Sequence, residues 1–125
     1  MKVRIYYHHT DGAGVVYYAK YLEFLEEART EFLEERGLLM KDLISRGVLF
    51  VVGRQEIDYK SPAIYGDILH IDTRLSRVST VKMEFEYEVK NQNDKLICLA
   101  KTLLVCVDKN LKPRAIPEEI LKQIT

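Results

Sequence analysis

The sequence predicts an α+β domain in which one long amphipathic helix lies along one face of a five-stranded antiparallel sheet. Three observations carry this expectation. A single segment, 19–36, repeats its apolar residues at helical spacing; several stretches after residue 48 alternate apolar and polar residues at the period of a strand; and Asn91-Gln92-Asn93-Asp94 joins two such stretches as a hairpin turn, which makes them antiparallel neighbours. One strand, a helix and then four strands in this order imply a sheet that curls over the helix.

The first strand is expected over Lys2 to Tyr7. From Ala19 to Arg36 the residues Tyr21, Leu22, Phe24, Leu25, Ala28, Phe32 and Leu33 form an apolar stripe between Glu23, Glu26, Glu27, Arg29, Glu31, Glu34 and Glu35, and Gly37 ends the helix at its C′ position. At about 27 Å such a helix needs a broad apolar surface to cover it, which a sheet supplies. Leu49 to Lys60 reads as the next strand. Leu69, Ile71, Thr73 and Leu75 then alternate with His70, Asp72 and Arg74, and Arg77-Val78-Ser79 is a short link to the next strand. There Val81, Met83, Phe85, Tyr87 and Val89 oppose Lys82, Glu84, Glu86, Glu88 and Lys90. The last strand, Lys95 to Asp108, is apolar on both faces, with Leu99, Leu103, Val105 and Val107 on one and Cys98, Ala100, Leu104 and Cys106 on the other. One helix covers only one face of a sheet, so the second face points to packing against another subunit. Pro117 to Ile124 reads as a short helix with proline at N1.

A chain of 125 residues has room for one domain, here 1–125, with a core of its own. Its 47% hydrophobic and 30% charged residues exclude a disordered chain, and no apolar run reaches the length of a membrane span. With 19 residues of each sign there is no overall field to recruit nucleic acid, so any anion site must be local. The opening Met-Lys-Val-Arg-Ile-Tyr lacks the apolar character of a secretory signal, and the expected location is the cytoplasm. Cys98 and Cys106, eight residues apart on one strand, are separated by roughly 27 Å, too far to bridge each other, and are expected as reduced core thiols. No CxxC pair is present, and no metal site or cofactor is expected.

The stretch with chemical character is Thr10-Asp11-Gly12-Ala13-Gly14-Val15-Val16-Tyr17-Tyr18. It sets one carboxylate in a glycine-bracketed turn between a strand and the start of the long helix. Glycines permit positive φ and a close approach of another molecule, and a helix start presents unpaired N–H groups. A carboxylate and donors able to polarise a carbonyl thus share a small space. His8 and His9, as neighbours on a strand, would point to opposite faces and form no shared metal site.

Arg4-Ile5-Tyr6-Tyr7 with Thr10 to Tyr17, Tyr21 with Glu26, Ala28 and Arg29, and Tyr59-Lys60-Ser61-Pro62-Ala63 with Gly66-Asp67 together resemble the hotdog-fold acyl-CoA thioesterases of the 4-hydroxybenzoyl-CoA thioesterase class, especially the YbgC-like branch. The resemblance covers nearly the whole chain and implies a hotdog fold, an acyl-CoA substrate and release of free acid and coenzyme A. It gives Asp11 the role of catalytic carboxylate, as nucleophile or as general base for water, and gives the Tyr18 backbone N–H that of oxyanion donor. It places Gly12, Gly14, Val16 and Tyr17 beside the acyl group and Tyr59, Lys60, Ser61 and Pro62 along the acyl or pantetheine slot, contributed by a partner subunit. A homodimer at minimum, and a homotetramer beyond it, is implied. Where the YbgC-like branch commonly has histidine this chain has Tyr18, and His8-His9 replace an acidic pair, which makes His9 a candidate to tune the acidity of Asp11. Lys60, Arg74, Arg77, Lys82, Lys112 and Arg114 are candidates for a phosphate-binding rim. Glu23, Glu26, Glu27 and Glu31 are the fallback carboxylates. The acyl group stays open among short aliphatic, long aliphatic and aromatic, and acyl carrier protein stays open in place of coenzyme A. The alternatives are a hydratase or dehydratase on the same fold, or an acyl-binding module without catalysis.

Overall fold

The computed structural model describes residues 1–125. It orders them as β1 (Lys2–Arg4), α1 (Lys20–Glu34), α2 (Met40–Ser45), β2 (Leu49–Tyr59), β3 (Ile68–Val78), β4 (Lys82–Lys90), β5 (Leu96–Val107) and α3 (Glu118–Ile124), with a 3-10 turn at Tyr7–His9. The five strands form one curled antiparallel sheet in the order β1-β3-β4-β5-β2, so β1 and β2 are its edges.

β4 behaves as its alternation requires: Met83, Phe85, Tyr87 and Val89 are buried while the charged residues between them face out. On β5 the inner row Cys98, Ala100, Leu104 and Cys106 is buried together with Thr102, whose hydroxyl donates to Gln55 Oε1 at 2.6 Å. The outer row is only part covered, with Leu103 and Val105 half-buried and Leu99 exposed. The inner rows join Tyr21, Phe24, Leu25, Ala28 and Leu33 of α1 in one continuous core. Fully burying side chains such as Phe24 and Leu25 stabilises the fold by roughly 1.5–3 kcal/mol each. Phe32 stands edge-on to Phe85 at 5.5 Å between ring centroids, fixing the helix against the sheet.

The helix is shorter than its pattern suggests. α1 has 15 residues, about 22 Å, because Ala19 serves as its N-cap and residues 35–36 fall in the closing turn. Gly37, at φ 81°, ends it: Gly37 N–H donates to Glu34 O at 2.9 Å and Leu38 N–H to Leu33 O at 3.0 Å, the paired bonds of a left-handed C-terminal cap. Two short helices accompany it rather than one. α2, six residues between Gly37 and Gly47, is too brief for a periodic signal, while α3 buries Ile120 and Ile124 and carries Pro117 at its N-cap, one position before the expected N1. β1 also ends early, at Arg4: Ile5 N–H still reaches Asp67 O in register at 2.8 Å, but Asp67 N–H turns to Ile64 O at 3.1 Å and the chain enters the 3-10 turn.

Candidate active site

The Asp11 turn is fixed by its own backbone. Asp11 N–H donates to Val15 O at 2.9 Å, Gly14 N–H to Asp11 O at 3.1 Å, and Ala13 N–H to Asp11 Oδ1 at 2.8 Å. One carboxylate oxygen is thereby spent on an Asx turn, and the other has no partner in the chain. Of the two bracketing glycines only Gly14 has positive φ, 83°. Gly12 has an ordinary backbone conformation, but at both positions a Cβ would meet nothing within 4 Å, so the turn lies open to an approaching molecule.

The second motif clamps the first. Val16 N–H donates to Ala63 O at 2.8 Å, and Val15 pairs with Ile64 across an isolated bridge. Asp67, buried at the end of that motif, accepts Ile64 N–H at Oδ2 and Gln92 Nε2–H at Oδ1, both at 2.9 Å. Lys60 and Ser61 both donate their N–H groups to Ile97 O, at 2.8 and 3.1 Å. The Tyr59 hydroxyl donates to Tyr18 O at 2.8 Å and so joins the end of β2 to the entrance of α1. Tyr59, Lys60 and Pro62 are exposed and Ser61 half-buried, as lining residues would be. Val16 is buried in the core, where its side chain lies beneath the turn.

At the helix entrance Tyr17 N–H donates to His9 O and Tyr17 O accepts Lys20 N–H, both at 2.9 Å, whereas Tyr18 N–H has no acceptor within the chain. The Tyr17 and Tyr18 rings lie 4.8 Å apart and are exposed. The Tyr18 hydroxyl pushes up the pKa of Tyr17, with burial and Asp11 smaller contributors. Tyr59, held by burial first and then by Cys98 and Tyr18, is also harder to ionise than a free tyrosine.

Tyrosines complete this end of the molecule, and of those in contact here only Tyr65 was singled out by no motif. Tyr7 and Tyr65 meet edge-on at 6.3 Å, Tyr21 and Tyr59 at 5.6 Å, and Tyr6, Tyr7, Ile64 and Tyr65 are all more than half exposed. Five of the eight tyrosines fall within the first 21 residues of a chain that has no tryptophan, whereas Tyr65 stands apart from them and carried no such signal.

His8 and His9 do not sit on a strand. They belong to the 3-10 turn, where their ring centroids are 4.1 Å apart on the same side of the chain. No three His, Cys, Asp or Glu side chains converge to hold a metal. Of the basic rim candidates Lys60 belongs to the second motif, whereas Arg74 is paired with Glu86 on the outer sheet face and Arg114 donates to Gly47 O at 3.3 Å. Glu23 pairs with Lys20 at 2.8 Å, which lowers its pKa, and the other helix glutamates are exposed. Cys98 and Cys106 are buried free thiols, and burial pushes Cys98 up to about 12. A concavity of about 500 Å³ lies on the outer sheet face, lined by Glu56, Asp58, Arg74, Glu86, Glu88 and Lys101 among others. It is charged, contains none of the Asp11-turn residues in its lining, and lacks the apolar lining that an acyl group needs.

A curled five-stranded antiparallel sheet with few helices is the architecture of the hotdog thioesterases. The chain belongs to the thioesterase-like superfamily, whose model matches residues 5–124, and it is a thioester hydrolase. Among its relatives is the acyl-CoA thioester hydrolase YbgC of Escherichia coli, 38% identical over 122 residues, covering 97% of this chain and 91% of that protein. The acyl-CoA thioesterase YbgC of Haemophilus influenzae is also 38% identical, covering 94% of this chain and 88% of its own. Among solved structures, a 1,4-dihydroxy-2-naphthoyl-CoA thioesterase from Synechocystis superposes with a TM-score of 0.91 at 28% identity, covering 99% of this chain and 93% of its own.

Proposed function

We propose that this chain hydrolyses acyl-CoA thioesters at the Asp11 turn. The observation that carries the reading is the pairing, at one exposed site, of a carboxylate with one oxygen uncommitted and a helix-entrance N–H, that of Tyr18, with no acceptor in the chain. The free oxygen of Asp11 takes a proton from water as the water oxygen attacks the thioester carbonyl carbon, or attacks that carbon itself and is freed by water afterwards. In both routes the C–O bond forms, the developing oxyanion is held by the Tyr18 N–H at the positive end of α1, the C–S bond breaks, and coenzyme A leaves as its thiolate. An oxyanion donor of this kind contributes about 3 kcal/mol to catalysis. Gly12 and Gly14 give the thioester room, Tyr17 flanks the carboxylate, and Tyr59, Lys60, Ser61 and Pro62 line the approach, with Lys60 available to a phosphate group.

A homodimer at minimum fits this site. β2 is a long edge strand, exposed at Val51 and Val52, and leaves backbone groups ready to pair with a second copy. Its last residue is Tyr59, so a partner strand would close the open side of the site.

Thiol release from a panel of short, long and aromatic acyl-CoA esters, measured for wild type and Asp11→Asn, tests the reading. The substituted amide keeps an acceptor oxygen for Ala13 N–H, so the turn survives while the charge is lost. A fall in kcat of about 10²–10⁴ is expected. Undiminished turnover in Asp11→Asn refutes the assignment.

A further inference from the structure

The turn before Asp11 is closed by a side chain whose bonding changes with pH. Tyr6, at the N-cap of the 3-10 turn, is extended, and its N–H donates to His9 Nδ1 at 2.9 Å. No backbone carbonyl takes that N–H. The bond requires neutral imidazole with its proton on Nε2, because imidazolium carries N–H at both nitrogens and accepts nothing. The same residue holds the helix entrance, since His9 O accepts Tyr17 N–H at 2.9 Å, and its ring stands edge-on to Phe24 of α1 at 5.2 Å. His9 therefore ties together the end of β1, the Asp11 turn two residues on, and the start of α1.

The groups around it are few. On its own segment His9 faces Tyr6 and His8 and precedes Asp11; from α1 it faces Lys20, Glu23 and Phe24, with Lys20 and Glu23 paired at 2.8 Å; Arg4 lies beyond, 5.5 Å from the Tyr6 ring centroid. Burial first, then His8 and Lys20, hold the imidazole below its ordinary value of 6.5, and Glu23 opposes them more weakly. A base depressed in the folded state favours folding fully above 6.5, and that contribution is lost as pH falls through the folded value.

We propose that His9 is a proton-operated latch on the Asp11 turn: neutral, it accepts the Tyr6 N–H and holds the turn and helix entrance in register; protonated, it releases that N–H, the turn loosens, and thioester hydrolysis weakens in mildly acidic solution. The inference rests on Asp11 as the reacting carboxylate. His9 is a positioning residue and touches no substrate in this account. Its titration is a reversible control on the site that a carboxylate at the same position, ionised throughout this range, would not provide.

The experiment follows kcat/KM against pH for wild type, His9→Asp and His9→Leu with one acyl-CoA ester, alongside NMR of the Tyr6 amide and the His9 ring in wild type. One hydrogen bond of this kind corresponds to a drop of about five- to tenfold, onto a lower plateau, as His9 protonates. The Tyr6 amide should shift and exchange faster with the same midpoint as the His9 ring. His9→Asp should keep the upper plateau through that range, and His9→Leu should sit near the lower plateau at every pH. An unchanged acid limb in His9→Asp, or a Tyr6 amide indifferent to the His9 titration, overturns the latch, and both readouts stand even where His9→Leu does not fold. Failure of the Asp11 reading shows separately, as turnover retained in Asp11→Asn, while the Tyr6 amide reports on the latch alone.

Discussion

Replacing Asp67 should unfasten the clamp under the Asp11 turn, and the size of the effect follows from its bonds. The carboxylate is 8% exposed and accepts two donors, Ile64 N–H and Gln92 Nε2–H, each at 2.9 Å. Gln92 cannot reverse its amide to suit a new partner at no cost, because its Oε1 already accepts Ile68 N–H at 3.0 Å. Hydrogen bonds to a charged acceptor are worth about 1.5 kcal/mol or more each, so Asp67→Ala should cost about 3 kcal/mol. For 125 residues the unfolding entropy near 60 °C is about 0.26 kcal/mol/K, so the melting temperature should fall by about 12 °C. Asp67→Asn retains one acceptor but sets its NH2 against a donor, and should lose at least half as much. Thermal unfolding by circular dichroism at fixed protein concentration reads the stability, and thiol release at 25 °C reads the site, which should weaken because Ile64 pairs with Val15. A loss below about 1 kcal/mol in Asp67→Ala would show that solvent replaces the clamp and would refute this account of how the two motifs are joined.

Tyr59→Phe removes the bond to Tyr18 O while keeping the ring against Tyr21. It should lower kcat/KM about three- to tenfold with little change in melting temperature, the share of one partly exposed hydrogen bond, as steady-state kinetics and thermal unfolding will show. Val52→Lys places a charge on the exposed edge strand β2 and should shift sedimentation toward monomer, with activity falling in proportion; a monomeric wild type of full activity would remove the shared-site proposal.

Much of the fold was legible because burial on one face imposes a period. The β4 alternation from Met83 to Val89 is in fact buried, as are Tyr21, Phe24, Leu25, Ala28 and Leu33 of the α1 stripe, whereas Phe32 is half-buried and Leu22 is exposed; Gly37 ends the helix for the stated reason, its φ of 81°. What escaped is what has no period. α2 is a six-residue helix between two glycines, too short to show one. β3 runs on through Val78, into the expected link at Arg77-Val78-Ser79, since an irregularity between Leu75 and Arg77 shifts the alternation without ending the pairing. β1 stops at Arg4 because its partner turns away at Asp67, whose N–H goes to Ile64 O, and the following 3-10 turn is then closed by Tyr6 N–H on His9 Nδ1, a backbone-to-side-chain bond that strand alternation cannot register.

The site was legible as two motifs but not as one place. Asp11 and Tyr59 to Pro62 stand out by residue type, yet what brings them together is a bond from Val16 N–H to Ala63 O, backbone to backbone across 47 positions, which no side-chain pattern encodes. Once the motifs are joined, the position of Tyr59 acquires a second meaning. It is the last residue of the edge strand β2 and the donor to Tyr18 O at the helix entrance. A second copy pairing along β2 would therefore bear directly on the peptide that follows the free Tyr18 N–H. Assembly and catalysis would then share one structural element, so a substitution such as Val52→Lys, far in sequence from Asp11, is expected to reach the chemistry through Tyr59.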